Sequence, residues 1–327
     1  MKILLASDCA EVLRAEARTV LRGAEVEAEV LVLASDGSVD GDVEGTEIVL
    51  FSPSVPQHAA AMGALMEHMN LPSVRWIQGP GAGIEHPLWQ AFLDRGIRLT
   101  NASGIHGEAI AQYIFAYVLF WERNVARHLA QQADRHWEII RSGDLAQKTL
   151  GIVGYGGIGQ AAARIAKALG MRTLGARRTE FSDDALDRFI PLNDLPELLG
   201  ESDYVLLCLP LNDETRGCIG AAELSVMRKD AVLINVARGG VVDEPALIEA
   251  LRCRAIRGAT LDVTVEEPLP QDSPLWGLEN CVLTPHDAGY SPLSDQRLGA
   301  LFIENLSLFL RGQPMVNEVE TTGIVHP

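Results

Sequence analysis

Lysine is nearly missing from this 327-residue chain, which holds only Lys2, Lys148, Lys167 and Lys229. Basic charge as a whole is short, with 27 Lys and Arg against 44 Asp and Glu and a formal net charge of -17. A field of that sign repels phosphate backbones and anionic membranes, so neither nucleic acid nor a membrane surface is expected as a partner. The five cysteines, Cys9, Cys208, Cys218, Cys253 and Cys281, are odd in number and lack any CxxC spacing. That excludes a disulfide framework or zinc ribbon and predicts reduced core thiols. The opening MKILLASD has too short an apolar run for a signal peptide, and Ala109–Trp121, interrupted by Gln112, is too short to span a bilayer, so a cytoplasmic location is expected. His58, His68, His86, His106, His128, His136 and His326 show no metal-ligand spacing, and no metal site is expected.

What remains is ordinary globular material, 47% hydrophobic and 22% charged. Its length suggests two domains, and two domains imply a cleft. The first hundred residues alternate strand-like and helical runs: Lys2–Ser7, Glu11–Leu21, Ile48–Phe51, Ala59–Met69 and Val74–Gln78, followed by the glycine-rich loop 79–83 and a strand at Arg98–Asn101. Glu108–Arg123 has the periodicity of a largely buried helix, and a polar helix is expected to continue to about Ile140. From Thr149 onward the runs Leu150–Val153, Ile158–Leu169, Thr173–Ala176, Tyr204–Leu209, Ala231–Val236, Leu247–Leu251, Gly258–Val263 and Cys281–Thr284 predict a doubly wound parallel sheet.

Gly154-Tyr155-Gly156-Gly157-Ile158-Gly159 matches G-x-G-x-x-G directly after an apolar strand and at the mouth of an Ala-rich helix. In that context Gly154 permits the tight turn, Gly156 admits a pyrophosphate, Gly159 lets helix pack on strand, and the helix N-terminus offers unpaired N–H groups. A dinucleotide site is therefore expected. The following strand ends in Arg177-Arg178-Thr179 rather than in the Asp or Glu that accepts from the ribose hydroxyls of NAD. Two arginines can grip a 2′-phosphate through charge-assisted forks, which predicts NADP over NAD. The alternative is that both are solvated and Glu180 or Asp183 takes the acidic role, with NAD as cofactor.

Three later strand ends carry reactive side chains: Arg238 after Ile234–Val236, carboxylates at Asp262, Glu266 and Glu267, and His286 after Leu283-Thr284-Pro285. Singly, each has a structural explanation in a helix cap, a surface carboxylate or a core histidine. In this order, and together with Trp76-Ile77-Gln78, Asn101-Ala102-Ser103-Gly104, Cys208-Leu209-Pro210-Leu211, Glu214-Thr215-Arg216-Gly217 and Asn235-Val236-Ala237-Arg238-Gly239-Gly240, they make the chain resemble the D-isomer-specific 2-hydroxyacid dehydrogenase family along nearly its whole length.

The resemblance implies two Rossmann-like domains, a flavodoxin-like catalytic domain from 1–100 plus 287–327 and a dinucleotide-binding domain from 101–286, with a cleft between them and dimerisation through the cofactor domains. It implies hydride transfer between a nicotinamide and a small 2-keto or 2-hydroxy acid, of the NADP-type glyoxylate/hydroxypyruvate reductase kind. Arg238 would hold the substrate carboxylate. His286 would be the general acid in reduction and the base in oxidation, and Glu267, directly before Pro268, would orient the imidazole and favour its charged form. Backbone groups around Ala82 and Gly83 would complete the carboxylate cradle. Leu209 and Pro210 would line the cofactor, and Ala237 and Asp262 would meet the nicotinamide amide. Trp137 resembles a tryptophan that in some relatives reaches the partner's active site, with domain packing as the alternative.

Thr264 and Val265 stand where the family pattern usually has an aromatic and often Pro or Glu, and Asp287 where it is apolar or small. These departures leave the reaction type intact and bear on the substrate. Two other readings compete: an NAD(P)-sensing corepressor-like protein without turnover, disfavoured by the intact Arg238, Glu267 and His286 set, and an enzyme of this fold acting on formate or phosphite, disfavoured by glutamate at 267. A short-chain dehydrogenase is excluded because no Tyr-x-x-x-Lys occurs.

Overall fold

The computed structural model describes residues 1–84 and 86–319; His326 lies outside them. The chain divides into two compact units, residues 1–106 together with the stretch from Tyr290 on, and residues 107–289.

The first unit opens with β1 (Lys2–Ala6), α1 (Ala10–Gly23), β2 (Glu29–Val32), β3 (Thr46–Phe51), α2 (Ala59–Met69), β4 (Trp76–Gln78), α3 (Pro87–Asp94) and β5 (Arg98–Thr100). The second runs α4 (Gly107–Glu122), α5 (Val125–Ala133), β6 (Thr149–Val153), α6 (Gly157–Ala168), β7 (Arg172–Arg177), β8 (Arg188–Pro191), α7 (Leu195–Glu201), β9 (Tyr204–Leu207), α8 (Ala221–Val226), β10 (Val232–Asn235), α9 (Glu244–Arg252), β11 (Gly258–Leu261) and β12 (Cys281–Leu283). The chain then returns to the first unit as α10 (Pro292–Leu310).

Both sheets are wholly parallel. The first has the order β2-β1-β3-β4-β5, the flavodoxin-like arrangement, and the second β12-β11-β10-β9-β6-β7-β8, the dinucleotide-binding order with one further strand. Strands covered on both faces read as unbroken apolar runs, as β6 and β9 do, rather than alternating. In the second unit α4 and α6 cover one face through Ile110, Ile114, Ala162 and Ala166, and α7, α8 and α9 cover the other through Leu198, Leu224 and Leu247. In the first unit α1 buries Ala10, Leu13, Ala17 and Leu21, the stripe that a 3.6-residue period places on one side. It shares that layer with Leu298, Phe302 and Leu306 of α10, and Trp76 stacks on Phe302 at 5.2 Å.

Three sequence expectations need correction. The polar helix predicted to run to about Ile140 stops at Ala133. Arg135 takes a left-handed φ of 54°, Arg135 N–H donates to Gln132 and His136 N–H to Gln131, which together form the helix-terminating Schellman arrangement. Arginine rather than glycine occupies the turning position, so the sequence carried no stop signal. Trp137 therefore lies beyond the helix and is 97% exposed. Finally, the five cysteines are free, but they are not all core thiols: Cys253, which caps α9, is exposed.

Among the described residues no helix is long and apolar enough to cross a membrane, and no group of three or more His, Cys, Asp or Glu side chains is placed to hold a metal ion.

Candidate active site

In the second unit the strand order reverses between β6 and β9, and the loops leaving those two strands meet. Gly154 has a φ of 97°, and a Cβ there would lie 2.6 Å from Leu209 N, so glycine is required both by conformation and by the neighbouring strand end. The Cys208 thiol donates to Gly154 O at 2.9 Å, and burial pushes its pKa up to about 12, making it an inert packing group. A Cβ at Gly159 would sit 3.0 Å from both Gly154 O and the Ile152 side chain, the close helix-to-strand contact expected of the third glycine.

Gly156 is different. Its backbone is extended, φ -101°, which any residue adopts, and a Cβ built on it meets no protein atom within 4 Å. Neither conformation nor packing calls for glycine there. What suits it is close approach of a ligand to the exposed backbone of Gly156 and Gly157 and the N-terminus of α6, and a dinucleotide pyrophosphate fits that requirement. Ile158 follows in the first turn of α6, half-buried.

Tyr155 turns its side chain away from the solvent-exposed backbone of the loop. It is 1% exposed, turned into the core, with its ring 4.5 Å from that of Phe181. Its N–H donates to Ala176 O at 3.3 Å. At the end of β7, Arg177 lays its guanidinium over the Phe181 ring, 5.1 Å from the centroid, Arg178 reaches to within 3.9 Å of Glu214, and Thr179 is exposed. Leu209 is buried behind the loop, while Pro210 is exposed and its carbonyl accepts from Thr215 Oγ1.

Arg238 follows β10 on a turn braced by Asn235, which is buried: Asn235 Oδ1 accepts from Ala237 N–H at 3.0 Å and its Nδ2 donates to Arg238 O at 3.1 Å. Arg238 Nη1 donates to Ala237 O at 2.7 Å. Gly239 next to it lies against the loop carrying Glu267, since a Cβ there would stand 2.0 Å from Thr264 C and 2.4 Å from Val265 N. The two segments are thus seated directly on one another.

That loop is folded around Glu267. Oε1 accepts from Thr264 N–H at 3.1 Å, and Oε2 lies 2.7 Å from His286 Nδ1. Glu266 is exposed and offers only its carbonyl locally, to Thr264 Oγ1. The Glu267 hydrogen bond raises the pKa of His286 above its ordinary value, against burial and the Arg238 charge, which lower it. For Glu267, burial pushes upward, but His286, the Thr264 N–H and Arg238 more than offset it, so the carboxyl lies below its ordinary pKa.

His286 itself has φ 57°, a left-handed conformation a non-glycine residue holds only when its surroundings impose it. Asp262 does so. Its carbonyl accepts His286 N–H at 2.8 Å, and its buried carboxylate accepts from Asp287 N–H at 3.0 Å, from Ala288 N–H at 3.1 Å and from Thr284 Oγ1 at 2.6 Å. Because Thr284 donates its single hydroxyl proton to Asp262, Tyr113 must donate to Thr284 across their 2.6 Å contact. Tyr113 fits a donor's role, for burial raises its pKa well beyond the ordinary value. Thr284 and Tyr113 were not singled out from sequence; Thr284 sits within the Thr-Pro-His motif, whereas Tyr113, on α4, gave no local signal.

The structure thus brings Arg238, Asp262, Glu267 and His286 to the C-terminal ends of β10, β11 and β12, as open α/β sheets place ligand-binding groups. Ala82 and Gly83 lie in the first unit, in the loop that follows β4.

A glycine loop at the strand switch point together with a histidine and carboxylate at neighbouring strand ends defines a nicotinamide-dependent oxidoreductase. Comparison makes that specific. The family description "D-isomer specific 2-hydroxyacid dehydrogenase, NAD binding domain" matches residues 115–288. A glyoxylate reductase of Korarchaeum cryptofilum is 38% identical over 251 residues, 74% of this chain and 75% of that one. A solved D-isomer specific 2-hydroxyacid dehydrogenase from Xanthobacter autotrophicus Py2, in complex with NADPH and MES, superposes with a TM-score of 0.75 at 29% identity, covering 98% of each chain. An NADPH-dependent glyoxylate/hydroxypyruvate reductase from Sinorhizobium meliloti, in complex with NADP and sulfate, gives 0.75 at 25% identity, again over 98% of each chain. The chain belongs to the D-isomer specific 2-hydroxyacid dehydrogenase family, and its chemistry is NAD(P)-dependent interconversion of keto and hydroxy acids.

Proposed function

We propose that this enzyme is an NADPH-preferring reductase of small 2-keto acids of glyoxylate or hydroxypyruvate size, with Arg238, Glu267 and His286 as its catalytic set. The observation that carries the reading is the 2.7 Å contact between His286 Nδ1 and Glu267 Oε2 on an imposed left-handed turn. With Nδ1 engaged by the carboxylate, His286 presents Nε2 to the substrate, and Glu267 favours the imidazolium form that carries the proton to be given. In reduction Nε2 gives its proton to the carbonyl oxygen as that oxygen becomes a hydroxyl; in oxidation it takes the proton back. Arg238 holds the substrate carboxylate with its planar fork and polarises the 2-oxygen. The bound nicotinamide supplies or accepts the hydride.

Gly154, Gly156, Gly157, Ile158 and Gly159 are assigned to the pyrophosphate, with Leu209 and Pro210 beside them, and Ala237 and Asp262 to the nicotinamide end. Arg177, Arg178 and Thr179 are assigned to a 2′-phosphate, supported by the absence of an acidic residue at the end of β7 and by the NADPH and NADP complexes of the two solved relatives. A homodimer is supported by the apolar exposure of Leu129, Trp137 and Ile139 on and beyond α5. Initial rates with NADPH and NADH over a panel of 2-keto acids test the proposal: turnover of glyoxylate or hydroxypyruvate with higher kcat/KM for NADPH supports it, and preference for NADH rejects the cofactor assignment.

A further inference from the structure

Tyr155 occupies a variable position of the glycine loop, yet its ring is buried and points away from where a ligand would lie. It is seated against β7: a Cβ at Gly175 would come within 2.8 Å of Tyr155 Cδ2, so the missing side chain at Gly175 leaves room for the ring beside that strand. The ring of Phe181, from the segment after β7, packs on Tyr155 at 4.5 Å and 31°, and Phe189 closes its edge at 5.5 Å and 84°. Phe189 is the β8 residue in register with Gly175, so sheet pairing fixes this edge of the stack. On Phe181 rests Arg177, its guanidinium carbon 5.1 Å from the ring centroid.

A guanidinium held by its face keeps its N–H donors in the plane, where they fork onto an anion. Arg178 is held differently, as an exposed cation 3.9 Å from an exposed carboxylate. The two arginines at the strand end are therefore unequal: one sits on a built aromatic platform and the other on a solvated ion pair.

We propose that Phe181 is a specificity-positioning residue, which orients Arg177 for the 2′-phosphate of NADP(H) and ties that arginine to the glycine loop through Tyr155. The inference rests on the NADP reading above and deepens it. Phe181 touches no substrate in this account; it acts through Arg177.

The test is calorimetric titration of the full-length protein with 2′,5′-ADP and with 5′-AMP, which differ in the 2′-phosphate. Wild type is expected to bind 2′,5′-ADP more tightly. Phe181→Leu should weaken 2′,5′-ADP by about threefold to tenfold, the range for loss of a partly exposed cation–π contact, and leave 5′-AMP unchanged. Phe181→Tyr, which keeps the ring, should restore the preference, and Arg177→Lys, which keeps charge without the planar fork, should behave as Phe181→Leu does. Equal weakening of both nucleotides in Phe181→Leu, or none, overturns the inference while leaving the NADP assignment standing. Absence of any 2′,5′-ADP preference in wild type overturns both. If Phe181→Leu does not fold, the Phe181→Tyr and Arg177→Lys pair decides: a lysine variant that keeps the wild-type preference refutes the role of the stacked fork.

Discussion

Gly239→Ala is a sharp perturbation because one methyl group probes the alignment of two separate segments. The added carbon would stand 2.0 Å from Thr264 C and 2.1 Å from Thr264 O, both backbone atoms, against ordinary contact from 3.4 Å. The Thr264 peptide must retreat by about 1.4 Å, or the Arg238 turn must move by the same amount. Neither escape is innocuous, since Thr264 N–H anchors Glu267 Oε1 and Arg238 immediately precedes Gly239. A misplacement of this order costs roughly a hundredfold in rate when it disturbs catalytic geometry, and overpacking of this kind destabilises by about 1–3 kcal/mol. The expected result is a kcat reduced by about two orders of magnitude, with 2′,5′-ADP affinity unchanged because the glycine loop and Arg177 are untouched. Steady-state assays of NADPH oxidation read kcat, calorimetric titration reads the 2′,5′-ADP affinity, and thermal melts read the stability. A folded Gly239→Ala enzyme with wild-type kcat refutes the claim that the 264–267 loop and the Arg238 turn must interlock.

Gly156→Ala gives the opposite pattern: its Cβ meets no protein atom, so Tm should hold while dinucleotide affinity falls, by tryptophan quenching or calorimetry. Glu267→Gln removes the charge that favours the imidazolium; since reduction requires protonated His286 and is lost as pH rises through its raised pKa, the falling limb of kcat/KM should move to lower pH. A pH profile that does not move contradicts the assigned partnership. Thr284→Val removes the hydroxyl between Tyr113 and Asp262 and should lower both stability, by about 1–3 kcal/mol, and kcat, while Tyr113→Phe should cost less because Thr284 still donates to Asp262. Chemical denaturation and kcat measured on the two variants check that ranking.

The second unit is the more legible in sequence because parallel strands covered on both faces write unbroken apolar runs, as Leu150–Val153 and Ala231–Ile234 do. The β8 strand was not read, since it is a four-residue edge strand, RFIP, ending in proline and mixing polar with apolar residues. The end of α5 was overrun because its left-handed cap is Arg135, where a glycine would have announced the stop. At the site, the residue types at the strand ends were readable in order, but their bracing was not. The contact of Tyr113 with Thr284 spans 171 residues, and the seating of Tyr155 depends on Gly175 and on Phe181, whose own edge Phe189 closes. Such partners are set by tertiary packing, and no local pattern encodes them.

The role of His286 is tested most directly by single-turnover reduction of glyoxylate with His286→Ala, alongside nucleotide binding by the same preparation. The account predicts a loss of about 10²–10⁴ in rate with 2′,5′-ADP binding as in wild type. A variant that binds nucleotide normally and reduces glyoxylate at the wild-type rate would contradict it.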